Sequence, residues 1–195
     1  MTAALRIVDR RGLGALTMRA VGSALGYEAM SLYKHVASKQ ELLDLVVDRV
    51  VGELETPDGS APWADRLRHI AREWRRLALA HPHVFQLLAT GPPPSPSSLL
   101  PFLDANLGAL REATGDDELA VSYFWTFLAY TTGALIAECA ALASETSPRQ
   151  APATVDPDAF PHLAALRAEL ASADFADGYE RSIEVLIASV SKAGR

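Results

Sequence analysis

Arg19, Ser31, Tyr33, Lys34, His35 and Lys39 lie within residues 19–39. Arginine can hold a phosphate or read guanine through two parallel hydrogen bonds. Lysine and protonated histidine can hold phosphates, and hydroxyl groups can reach a base edge. The same residue types on an ordinary solvated face would do none of this. The chemistry needs an element that presents them together and a second element that braces the first.

Charge points the same way. Residues 1–39 carry six Lys/Arg (Arg6, Arg10, Arg11, Arg19, Lys34 and Lys39) against Asp9 and Glu28, a local balance of +4. The whole chain is at −6, so residues 40–195 carry −10. A basic end on an acidic body suits contact with a polyanion at that end. Chance clustering in a short window would give the same count, so charge alone leaves both readings open.

Other chemistries find little support. There is no Gly-rich phosphate loop, no Gly-x-Ser-x-Gly elbow and no His-Glu-x-x-His, so an enzyme is not expected. Cys139 is the single cysteine, which excludes an internal disulfide and a multi-cysteine zinc site. It sits beside Glu138 on an apolar stretch, which discourages the thiolate. His81-Pro82-His83 has histidines aimed in different directions and no acid near in sequence. No metal and no cofactor are expected. Hydrophobic residues are 49% and charged residues 22% of the 195, a globular rather than disordered composition. No uninterrupted apolar run approaches the roughly 18 residues of a membrane span, and the start lacks a secretory layout. These features predict a cytoplasmic protein with no membrane partner.

Strand signals are almost absent. The 12 prolines leave three stretches free for long helices, with connections at 56–62, 91–101 and 148–161. The run Gly91-Pro92-Pro93-Pro94-Ser95-Pro96 predicts an extended surface loop. Apolar residues recur at helical spacing. Leu42, Leu43, Val46, Val47, Val50 and Leu54 mark one helix. Leu67, Ile70, Ala71, Trp74, Leu77 and Ala78 mark another, whose Arg66, Arg68, Arg72, Arg75 and Arg76 avoid the stripe. Residues 117–143 are apolar nearly all round, which predicts burial on several sides. Residues 175–190 form the last helix, and weaker helices fit 82–89, 97–113 and 157–171. The expected fold is all-α, with about nine or ten helices.

Three short helices fit the start. The first covers 3–11 and stops at Gly12 and Gly14. Thr17 N-caps the second, whose inward residues are expected to be Val21 and Leu25. Gly26 makes the turn, and the third helix covers 28–34. Ser38-Lys39-Gln40-Glu41 is a capping box that opens the fourth, 38–55. Two short helices joined by a glycine turn match a helix-turn-helix. Such corners are also ordinary packing units.

The stretch Leu16-Thr17-Met18-Arg19-Ala20-Val21-Gly22-Ser23-Ala24-Leu25-Gly26-Tyr27 is followed by Leu32-Tyr33-Lys34-His35-Val36 and Ser38-Lys39-Gln40-Glu41-Leu42-Leu43. At this spacing it resembles the DNA-binding region of the tetracycline-repressor (TetR) family, over roughly residues 4–50. Two echoes, His81–Thr90 and Phe175–Tyr179, look like the regulatory branch that includes the tetracycline repressor. The resemblance implies a three-helix helix-turn-helix DNA-binding domain at 1–50, with helix four linking it to a larger ligand-binding and dimerisation domain at 56–195. It implies a homodimeric transcription regulator, usually a repressor, released from operator DNA by a small-molecule effector. By position, Arg19 reads a base, Ala29, Met30, Ser31 and Tyr33 face the major groove, and Lys34, His35 and Lys39 hold phosphates. Thr17 joins this set at the start of the second helix. Tyr33 and Met30 could instead fill core, and His35 could merely cap. Family members usually carry more residues ahead of the first helix, which implies modest DNA affinity here.

In the body, an apolar pocket is expected among Trp74, Leu77, His81, Phe85, Leu88 and Phe102. Leu103, Leu107, Phe124, Trp125, Leu128 and Thr132 complete the set. With so few polar groups, the effector should be mostly hydrophobic. Each of these residues also fits plain core. The dimer is expected through Tyr130, Ala134, Ala137 and Ala141, a small-residue stripe, with Ile183, Leu186, Ile187 and Val190 beside it. Burial of these helices within one subunit is the rival. A DNA-binding dimer with a self-filled pocket and no effector is the alternative function.

Overall fold

A computed structural model describes residues 1–90, 97–143, 155–172 and 174–193. The 91–96 loop expected from the proline run lies outside these residues. Among the described residues there are eleven α-helices and no strand. The all-α expectation holds. The eleventh helix arises because the 157–171 segment breaks at Leu166 into two short pieces.

Helix α1, Thr2–Arg11, buries Ala4 and Val8, one turn apart on one face. A single 3-10 turn at Leu13–Ala15 leads to α2, Met18–Leu25. Thr17 caps α2: its hydroxyl oxygen accepts from the Ala20 N–H at 3.0 Å. Such a cap contributes about 1 kcal/mol. Gly26 closes α2 in the left-handed region, at φ 76°, where a Cβ would be strained. Helix α3, Ala29–Leu32, is a single turn, shorter than the expected 28–34. Val21 is buried as expected, but Leu25 is 46% exposed. The turn at Gly26 comes too soon after Leu25 for the chain to fold back over it.

Helix α4, Lys39–Val51, starts where the capping box places it. The Ser38 hydroxyl accepts from the Glu41 N–H at 3.1 Å. The Glu41 carboxylate accepts from the Ala37 N–H at 2.6 Å, one residue earlier than the standard box. Helix α5, Trp63–Ala80, turns its apolar stripe inward. Helix α6, Pro82–Thr90, buries Val84 and Phe85. Helix α7, Leu100–Thr114, carries Pro101 in its first turn, where no backbone donor is lost.

Helix α8, Asp117–Ala143, is the longest, at 27 residues. It is long and apolar enough by length and composition to cross a bilayer, with a mean hydropathy of 1.4 over its most apolar window. Its buried residues, Ala120, Phe124, Phe127, Thr131, Leu135 and Glu138, form one side only. Burial on several sides within this chain is therefore not observed. Val121 and Trp125 stay open on the other side. Helices α9, Pro161–Ala165, and α10, Arg167–Ser172, leave Phe160, Leu163, Leu166 and Leu170 exposed. Helix α11, Phe175–Ala193, packs Tyr179, Ile183, Ile187 and Val190 against the rest.

The α2–α3 corner depends on Gly22. A Cβ there would lie 2.8 Å from the Tyr27 carbonyl oxygen and 3.3 Å from the Ala29 nitrogen. Gly108, on the exposed side of α7, has open space around it. Gly22→Ala should destabilise by about 1–3 kcal/mol through overpacking. Gly108→Ala should stabilise by roughly 0.5–1 kcal/mol through helix propensity. Urea unfolding of the two variants measures the opposite signs.

Candidate functional site

The corner built by α2 and α3 sets out the expected DNA-binding residues. Thr17, Arg19, Ser31, Tyr33, Lys34, His35 and Lys39 are all exposed. Met30 is 72% exposed, so it does not fill core. Tyr33 is 48% exposed, and its ring is only partly packed. Ala29 is half-buried and packs against the core, leaving less of it to face outward. Beneath the corner, Leu16, Met18 and Val21 are buried and hold α2 on α1. The result is a short, outward helix on a braced support, bearing an exposed thioether, with Arg19, Lys34 and Lys39 on the segments beside it.

The α2–α3 corner is tied to the rest through a strap that follows α4. The Glu53 carbonyl accepts from Arg76 Nη2 at 2.6 Å. The Glu55 N–H donates to Glu73 Oε2 at 3.0 Å, and the Glu55 carbonyl lies 2.9 Å from His69 Nε2. The neighbouring Arg76 guanidinium holds the Glu73 carboxyl below the usual carboxylate range. His81 sits between α5 and α6, with Nδ1 3.0 Å from Asp9 Oδ1 and Nε2 3.3 Å from Glu53 Oε2. These acids come from 72 and 28 residues away, so no local pattern around His81 points to them. The His83 ring, its neighbour but one, lies against Gly12 at the end of α1.

The structure divides the twelve expected ligand residues. Trp74, Phe102, Leu103 and Leu128 come together around one small cavity, with a free volume of about 20 Å³. Ile70, Asn106, Phe127 and Thr131 complete its wall; Asn106 and Phe127 were not among the residues expected there. Trp74 stacks on Phe102 at 6.1 Å and meets Phe85 edge-on at 5.2 Å. Phe85 also lines a second cleft, of about 350 Å³, with His83, Ile136 and Cys139. Leu77 is sealed core. Leu88, Leu107 and Thr132 are half-buried, and Phe124 is buried. Two expectations need correction. His81 is engaged by Asp9 and Glu53 rather than facing a pocket. Trp125 is 62% exposed, on the side of α8 away from the core.

A third cleft, of about 450 Å³, lies between α8 and α10–α11. Tyr130, Ala134 and Ala137 line it, opposite Phe175 and Tyr179. The Tyr130 and Tyr179 rings stack at 6.2 Å. The Tyr179 hydroxyl donates to the buried Ala71 carbonyl at 2.9 Å, and burial pushes that phenol up. Glu138 at the cleft is buried, and Arg75 clasps it from α5 at 3.0 Å and 2.5 Å. That carboxylate pushes the guanidinium of Arg75 up. Cys139 is half-buried, and burial with the adjacent Glu138 charge pushes its thiol up. Of the expected dimer residues, Ile183, Ile187 and Val190 are buried within this chain. Side chains already sealed have almost no area left to give a partner. Leu186 and Ala141 are half-buried.

The family model described as bacterial regulatory proteins, tetR family, matches residues 1–46. The one described as tetracyclin repressor-like, C-terminal domain, matches residues 56–193. An HTH-type transcriptional regulator of Saccharopolyspora erythraea is 39% identical over 100 residues, covering 51% of this chain and 42% of that protein. The HTH-type transcriptional repressor DrrR1 of Streptomyces coeruleorubidus is 41% identical over 99 residues, covering 50% and 37%. The chain thus spans well under half the length of these two relatives. The crystal structure of the TetR family protein ActR of Streptomyces coelicolor, in complex with actinorhodin, aligns with a TM-score of 0.82. It is 29% identical and covers 100% of this chain and 96% of that one.

The Arg75–Glu138 pair tests the packing beside the third cleft. Arg75→Met would leave a buried carboxylate unpaired and should cost about 3–5 kcal/mol. Adding Glu138→Leu should recover most of that loss. A double-mutant cycle by urea unfolding gives the coupling.

Proposed function

The chain belongs to the TetR family of bacterial transcriptional regulators, and on that premise we propose that it binds operator DNA as a homodimeric repressor that a small, mostly hydrophobic effector releases. One observation carries the DNA reading: a Thr17-capped α2 braces an outward one-turn α3 beside Arg19, Lys34 and Lys39. Residues 1–50 then act as the reading head and 56–195 as the regulatory body. Arg19 has the chemistry for a guanine edge, and Met30 for a thymine methyl. Ser31 and Tyr33 face the groove beside them. Lys34, His35 and Lys39 hold phosphates, Lys39 at the first turn of α4, where backbone donors assist.

The dimer reading is supported by the uncovered side of α8. Val121 and Trp125 there, and Val185 on α11, are large apolar groups that stay 47%, 62% and 69% exposed among the described residues. A second copy packed on a two-fold axis would cover the same patch on each protomer. Val185 replaces the sealed Ile183, Ile187 and Val190 in this account. Recognition helices related by that axis read half-sites about one helical turn or more apart. An effector that prefers another separation of those helices lowers operator affinity by linkage. The relative named as a repressor and the ActR complex with actinorhodin support this reading.

A second reading has one observation in its favour. The cavity at Trp74 holds about 20 Å³, which suits a self-filled pocket in a regulator with no effector. Thermal-shift screening against apolar compounds separates the two, and a flat response across a broad library favours the second.

Fluorescence anisotropy on DNA from upstream of the gene, beside a scrambled duplex, tests the DNA reading. Specific binding should fall steeply with salt, since each phosphate contact adds about 0.9 to the log–log slope. Arg19→Ala should remove the preference for the specific duplex, at about 1–3 kcal/mol. Lys39→Ala should weaken both duplexes alike. Equal binding of wild type to both duplexes at every salt concentration would count against an operator at that place.

Gel filtration at low micromolar concentration tests the dimer. Wild type should elute as a dimer and Trp125→Glu as a monomer, with operator affinity falling in step. A monomeric wild type would remove the dimer.

A further inference from the structure

The cavity at Trp74 carries more information than its size. Trp74 is 8% exposed and Asn106 is 4% exposed, and both line this cavity. The Trp74 Nε1–H and the Asn106 Oδ1 have no hydrogen-bond partner among the described residues. Buried polar atoms are rarely left so, because desolvation is not repaid. Here one donor and one acceptor are orphaned in one wall. Thr131, also in the wall, spends its hydroxyl on the Phe127 carbonyl at 2.8 Å.

The shape of the space limits what can answer them. About 20 Å³ admits one small group and no ring. No Asp, Glu, Lys, Arg or His lines it, so an ion would be uncompensated. A carbonyl or an ether oxygen only accepts, which would leave Asn106 unanswered. A hydroxyl accepts from one neighbour and donates to another. The half-buried Leu103 and Leu128 give the cavity an apolar edge, and Trp74 and Phe102 present stacked rings.

Resting on the effector reading above, we propose that the effector is an aromatic alcohol. Its hydroxyl accepts from Trp74 Nε1–H and donates to Asn106 Oδ1, while its ring lies over Leu103 and Leu128. The hydroxyl enters neutral, as a phenol. A single water molecule could answer the same two atoms, and the experiment must separate the two.

Isothermal titration of the full chain with 1-naphthol, 1-methoxynaphthalene and naphthalene makes the separation. The methyl ether keeps the acceptor and loses the donor; naphthalene loses both. Wild type should bind 1-naphthol at least about tenfold more tightly than the ether, the worth of one hydrogen bond to a buried partner. Asn106→Leu should bring naphthol and ether within about twofold, because only Asn106 distinguishes them. Trp74→Phe should weaken both and spare naphthalene. The wild-type comparison stands even if a variant does not fold. Absence of naphthol binding, as for a site that holds only water, overturns the proposal. So does equal affinity for the three probes, or a naphthol preference that survives Asn106→Leu.

Operator anisotropy with the same probes keeps this apart from the effector reading. Release of DNA by another apolar compound, with no naphthol binding, overturns the aromatic alcohol and keeps the sensor. Naphthol binding that depends on Asn106 without DNA release keeps the site and overturns the sensor.

Discussion

The strap at Glu53–Glu55 is the constraint on which the rest of the structure depends. It joins the last helix of the first four to the first helix of the remainder, and it is fastened at three points. Arg76 holds the Glu53 carbonyl, Glu73 holds the Glu55 N–H, and His69 lies against the Glu55 carbonyl. A strap bonded this densely to α5 does not act as a swivel. His81 then links the Glu53 side chain to Asp9 of α1. The α1–α4 unit is therefore held at α1 and at the strap that follows α4, through one histidine. A ring shared between a helix and the strap matters for register, because neither can slide without losing one of its two bonds.

The apolar packing around that strap is continuous. Val8 of α1, Val46, Val47 and Val50 of α4, and Val84 of α6 belong to one buried cluster with Leu77 and Phe85. Leu16, Met18 and Val21 beneath the outward corner belong to the same buried cluster as the helices behind it. Each fully buried aliphatic side chain contributes roughly 1.5–3 kcal/mol. A motion that parted α4 from α6 would forfeit several of these at once. Small rotations of packed helices are cheaper, since they keep the contacts and change only their alignment. The family reading, in which two helix separations exchange, asks for motion of this second kind.

Sequence periodicity located these elements well where the signal was local. Thr17, Ser38 and Glu41 bond to backbone within four residues, so their caps are legible from the chain alone. The stripe of α5 is likewise a local property. The failures share a physical cause, which is that burial depends on what lies opposite. Arg66 avoids the apolar stripe yet is buried, because Glu112 of α7 meets its guanidinium. Helix α8 is apolar all round, but its neighbours in the chain cover one side only. Ile183 and Val190 have the right spacing for an outer face and turn inward instead. His81 was expected at the ligand pocket because the acids that engage it, Asp9 and Glu53, are remote in sequence. Of the candidate cavity, Trp74, Phe102, Leu103 and Leu128 were legible as aromatic and leucine positions on long helices. Asn106 was not, since one amide in a helix reads as solvent-facing until its neighbours are known.

Three consecutive residues of α5 bring these threads together. Trp74 lines the small cavity, Arg75 clasps Glu138 of α8, and Arg76 holds the Glu53 carbonyl of the strap. Successive helical positions point about 100° apart, so one turn of backbone serves three partners on different sides. A helix is stiff about its axis over so short a distance. A shift of the α5 backbone at Trp74 would therefore turn Arg75 and Arg76 with it. Arg75 resists, because leaving Glu138 would strand a buried carboxylate. Arg76 is the softer hold, a half-exposed guanidinium on a carbonyl, and the strap is what it would carry along. On the effector reading, a shift of α5 at the cavity would reach the strap after α4 by this short route, with the Arg75–Glu138 ion pair as its pivot and the Arg76 hydrogen bond as its moving end.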